Sequence, residues 1–255
     1  MSISALITSI FIFSRLSGFI IFMPVIGIRS IPNMIKIILM VCLTVVILPV
    51  VPPVTYVPRM GILAIGIVVE FFFGTIMSWV VNLVFAGLIT GTEVISTQIG
   101  QAAAKQFNPS MSISQSPIGG IAVLLTFTTF LGVNMHLDML VVLADSFVEV
   151  PPGAIENPIQ ASSVWIGYSG IVLDAGIRLA GPILALVFLN NSFLAVLTRL
   201  APNMNVFFSV GFLVSMIGGL FLFMVLFPDF MEYTLSLAQD AMVLMRDMIE
   251  IAGGK

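Results

Sequence analysis

Six apolar runs, each close in length to the thickness of a bilayer's hydrocarbon layer, constrain this chain more than any other feature. They cover residues 2–23, 33–51, 61–90, 118–144, 171–198 and 205–227. About 20 residues rising 1.5 Å each cross about 30 Å of hydrocarbon, and an α-helix satisfies its own backbone there. The runs therefore predict an all-α, membrane-type protein of kinked helical hairpins. A water-soluble reading fails for want of a polar shell: 59% of the 255 residues are hydrophobic and 8% are charged, against about a half and a quarter in soluble domains. The apolar surface must go to a bilayer, to other subunits, or to both.

Prolines mark where the helices stop, since proline has no N–H to continue the ladder. Pro24, Pro32, Pro49, Pro52, Pro53 and Pro58 bracket the second run, and Pro151, Pro152 and Pro158 lie in the longest polar link. Pro182 instead falls inside the fifth run beside Gly181, which predicts a kink. The third run continues into GTEVISTQIGQAAAKQ and is too long for one straight span. Glycines at Gly61, Gly66, Gly74, Gly218 and Gly219 predict close helix approach. The first run has no basic segment ahead of it and carries Arg15 inside it, so it reads as a retained helix rather than a cleaved signal. Links one, three and five carry Arg29, Lys105 and Arg199, with Lys36 close by, and link four carries Asp145, Glu149 and Glu156. Positive charge thus puts the odd links in the cytoplasm, with Arg59 in link two dissenting.

Beyond Pro228 the pattern changes to an amphipathic helix. Phe230, Thr234, Leu237, Ala241, Leu244, Met245 and Met248 fall on one face, with Glu232, Asp240, Asp247 and Glu250 mostly opposite. An acidic polar face disfavours anionic lipid. The helix docks either on a protein partner or back on its own chain.

Catalytic and cofactor chemistry finds no foothold. Cys42 is the lone cysteine, and no HExxH, GxxxxGK[ST] or GxSxG occurs. His136 and Asp138 stand two residues apart, which on a helix points them to different faces. The chain is expected to be no enzyme and to hold no metal or cofactor. A net charge of −3, with no block of like charges, excludes a nucleic-acid footprint.

Charges inside apolar runs are expensive, so each needs a reason. Asp174 and Arg178 stand at i, i+4 and read as a self-neutralising pair. Arg15, Glu70 and Glu93 have no local mate in sequence, and read as ion pairs between helices or subunits. A secondary transporter using Glu70, Glu93 and Asp138 is the alternative. Link three, QFNPSMSISQSPIGG at 106–120, is uncharged and bounded by Pro109 and Pro117. Irregular backbone at membrane depth must be buried in protein or line a cavity, so this loop reads either as a block in a passage or as a plain surface turn.

Four segments carry a resemblance. RLSGFIIFMPVIGIRSIPNMIKI at 15–37, TQIGQAAAKQFNPSMSISQSPIGG at 97–120, GVNMHLDMLVVLADSF at 132–147 and LTRLAPNMNVFFSVGF at 197–212 occur in order and at fitting spacing. In these the chain resembles the FliR family of the flagellar type III export gate, which has injectisome relatives. The resemblance implies one export-gate domain over 1–255, with residues 1–160 shaped like FliP and 161–255 like the FliQ hairpin plus a C-terminal helix. It implies assembly with FliP-like and FliQ-like subunits in the bacterial inner membrane, much of it on the periplasmic side. FlhA-like and FlhB-like components would work beside it, passing unfolded flagellar proteins. It further implies that Phe107, Asn108, Pro109, Ser110, Gln115, Ser116 and Pro117 plug the channel, and that Arg15, Glu70 and Glu93 pair between subunits. The family loop often carries Asp-Pro with extra Gly or Phe, where this one reads Asn-Pro-Ser-Met-Ser-Ile.

Overall fold

The computed structural model describes residues 3–24, 31–54, 59–99, 117–155, 166–200 and 211–253. Among them the chain is helical, with no strand. Eight helices run in order: α1 (Ile3–Phe22), α2 (Asn33–Ile47), α3 (Met60–Gln98), α4 (Pro117–Gly132), α5 (Met135–Glu149), α6 (Ile171–Leu200), α7 (Phe212–Val225) and α8 (Phe227–Ala252). Among the described residues three helices are long and apolar enough to cross a membrane: Ile3–Phe22, Met60–Gln98 and Ile166–Arg199.

The fourth apolar run, expected as one span, is two helices. α4 and α5 meet at a bend of 60°, where Asn134 takes the left-handed conformation at φ 61°. Hydropathy cannot see this break, because an apolar pattern persists on both sides of one turn residue. Asn tolerates that conformation better than most L-residues. A second bend, of 56°, separates α7 from α8. Pro182 lies inside α6, which runs through it as one helix.

Two compact units share these helices. The first comprises the described residues of Met1–Leu83, Phe130–Ser169 and Leu237–Lys255, and the second those of Val84–Thr129 and Gly170–Ser236. In the first, α1 is the central element. Phe11, Ile12, Leu16, Phe19 and Ile20 are all essentially buried, and α1 packs beside α2. α1 also lies against α3 so closely that a Cβ at Gly74 would collide with the Arg15 carbonyl, and one at Gly18 with the Phe71 carbonyl. Without side chains there, two helix backbones touch, which is how apolar helices associate where lipid offers no hydrophobic drive. The Ser14 hydroxyl fastens the same crossing by donating to the Ile67 carbonyl at 2.7 Å.

The second unit repeats the device. A Cβ at Gly87 would stand 2.9 Å from the Ala175 Cβ, and one at Gly91 would stand 3.1 Å from the Gly176 carbonyl oxygen, so α3 and α6 are in backbone contact. Asn190 on α6 donates to Ser215 on α7 at 2.6 Å. Of the glycines expected at contacts, Gly66, Gly74 and Gly219 are hemmed in by neighbours, Gly218 is in ordinary contact, and Gly61 faces open space.

The amphipathic pattern of α8 is realised within the chain: Phe230, Thr234, Leu237, Ala241, Met245 and Met248 are buried, and Glu232, Asp240, Asp247 and Glu250 are exposed. Much other apolar surface stays uncovered. On α2 only Lys36, Met40 and Thr44 are buried, a stripe at i, i+4, i+8, while Met34, Ile38, Val45 and Val46 are exposed. On α7, Ile217, Phe221 and Met224 are likewise exposed.

Candidate functional site

The most highly organised polar site of the first unit surrounds Arg15. Its guanidinium is fully buried on α1, and the Glu70 carboxylate beside it on α3 is nearly so. Arg15 Nε donates to Glu70 Oε2 at 2.6 Å. Nη1 donates to the Ser146 carbonyl at 2.8 Å and to Ser146 Oγ at 3.1 Å, and Nη2 to the Val150 carbonyl at 3.1 Å. Glu70 Oε1 accepts from the Gly153 N–H at 2.7 Å. The guanidinium carbon also lies 4.4 Å from the ring centroid of Phe147 and 5.1 Å from that of Phe73.

Each element has a physical reason to be there. The Ser146 carbonyl lies in the last turn of α5, where it also accepts the Val150 N–H at 3.0 Å, and the Val150 carbonyl lies just past the helix end, where the dipole favours a cation. Arg15 supplies both the donors and the charge. A planar fork reaches several acceptors at once, which a lysine ammonium on the same stem cannot do. Gly153 holds φ at 78°, a conformation that leaves the turn after Pro151-Pro152 free to aim its N–H at Glu70. The aromatic faces complete the enclosure and favour a desolvated cation. The cluster ties α1, α3, the end of α5 and the following turn into one body.

Arg15 and Glu70 are partners within one chain, across two helices, the between-helices form of the pairing read from the sequence, because the close glycine crossing of α1 and α3 brings them together. Both Glu70 oxygens are engaged, so a transporter path through Glu70 would first have to break the cluster. Glu93 is half-buried on α3 in the second unit, and Asp138 is exposed on α5. His136 is half-buried, and its Nδ1 has no hydrogen-bond partner among the described residues. Asp174 and Arg178 form the expected pair on α6 at 2.9 Å, both exposed. Phe107, Asn108, Pro109, Ser110, Gln115 and Ser116 lie outside the described residues, as do Arg29, Lys105 and Glu156, and Pro117 opens α4.

Sequence reasoning missed Ser146, Val150 and Gly153 as partners. Two of them act through backbone carbonyls, which carry no residue-type signal. Only Gly153 after a Pro-Pro pair gave a cue to special backbone.

Among the described residues no group of His, Cys, Asp and Glu is placed to hold a metal ion. A helical fold with a sealed internal ion pair and apolar faces left over defines a membrane helical protein. Known sequences narrow this further. The chain matches the family described as bacterial export proteins, family 1, over residues 6–241. It is 30% identical over 230 residues to the flagellar biosynthetic protein FliR of Pectobacterium carotovorum subsp. carotovorum, covering 88% of this chain and 87% of that one. It is 26% identical over 227 residues to FliR of Escherichia coli K12, covering 89% and 86%. It is 28% identical over 187 residues to the Yop proteins translocation protein T of Yersinia pestis, covering 71% and 69%. The chain belongs to the bacterial export proteins, family 1, the FliR family of type III export.

Proposed function

We propose that this chain is the FliR-type subunit of a flagellar type III export gate in the inner membrane. There it assembles with FliP-like and FliQ-like subunits, beside FlhA-like and FlhB-like components, to pass unfolded flagellar proteins. The observation that carries the reading is the family match over residues 6–241, nearly the whole chain. The uncovered faces of α2 and α7 support it, since surface of this kind requires neighbours or lipid. On this reading residues 1–160 take the place of a FliP-like part and 161–255 that of a FliQ-like hairpin with its C-terminal helix. Part of the assembly stands on the periplasmic side. Glu93, half-buried on α3, is the charge assigned to pairing across a subunit boundary. The loop at 106–120 plugs the channel through Phe107, Asn108, Pro109, Ser110, Gln115, Ser116 and Pro117.

Two measurements test this. Co-purification in mild detergent, with the intact mass, is expected to show this chain within a larger complex; a chain that purifies and transports solute alone refutes the assignment. Deleting residues 107–117 from an assembled gate is expected to raise leakage of small solutes. Unchanged leakage refutes the plug.

A further inference from the structure

We draw no further inference here: the strongest candidate, the largely apolar cavity of the second unit between α3, α6, α7 and α8 with Arg178, Asp229 and Tyr233 among its lining residues, carries nothing because nothing in the structure shows what covers or fills it.

Discussion

Removing the Glu70 carboxylate strands a guanidinium that is fully buried and ringed by Phe73 and Phe147. Truncating one member of a buried pair typically costs about 3–5 kcal/mol, because the surviving charge stays desolvated. Glu70→Ala is expected in that range, a shift of at least about a hundredfold in the ratio of folded to unfolded chain. Glu70→Gln keeps one acceptor oxygen, enough for the Gly153 N–H or the Arg15 Nε–H but not both, and so loses a hydrogen bond as well as the charge, for about 2–3 kcal/mol. Arg15→Lys cannot reach Glu70, Ser146 and Val150 together and is expected to cost about as much. The double variant Arg15→Met with Glu70→Leu removes both charges, leaving the Val150 carbonyl and the Gly153 N–H without these partners. Its expected cost is about 3 kcal/mol, no more than one truncation, where independent sites would add. Titration from mild detergent into sodium dodecyl sulfate, followed by helical circular dichroism, reads all four. A double variant as damaged as the sum of Arg15→Met and Glu70→Leu alone, or an Arg15→Lys chain as stable as wild type, would refute the account.

Gly74→Ala places a methyl group against the Arg15 carbonyl and is expected to cost about 1–3 kcal/mol in the same titration. Gly61→Ala, which meets nothing within 4 Å, is expected to be neutral or to gain up to about 1 kcal/mol. At the α4/α5 break, Asn134→Gly is expected to be tolerated and Asn134→Val to cost about 1–2 kcal/mol; equal stability of the two would remove the left-handed residue from the explanation. Cys42, exposed on α2, is expected to react with a maleimide in the isolated chain and to be protected in the complex. Reaction at one rate in both would assign the cover of α2 to lipid.

Much of this architecture is legible in the sequence because hydrophobic runs and proline punctuation are local signals. The buried face of α8, from Phe230 to Met248, follows from helical period alone. The break at Asn134 does not, since a single left-handed residue leaves hydropathy unchanged. The charged cluster was half legible: Arg15 and Glu70 stand out as charges in apolar runs, yet their pairing depends on the crossing of α1 and α3. That crossing is set by Gly18 as much as by Gly74, and only the second was read as a contact. Two of the partners of Arg15 at the end of α5 are the carbonyls of Ser146 and Val150, which any residue type supplies; the Ser146 hydroxyl is the one side-chain partner there.

The long reach of Arg15 also imposes an order on synthesis. Its Val150 acceptor lies 135 residues further along the chain, so at about 5–20 residues per second the guanidinium is made roughly 7–27 s before that acceptor exists. Through that interval α1 carries a cation lacking its final acceptors, a poor passenger for hydrocarbon. Glu70 follows 55 residues after Arg15 and supplies the counter-charge early, but the full set of acceptors is complete only once the end of α5 has emerged. A ribosome stalled before residue 146 should hold a nascent chain whose α1 is still accessible from water.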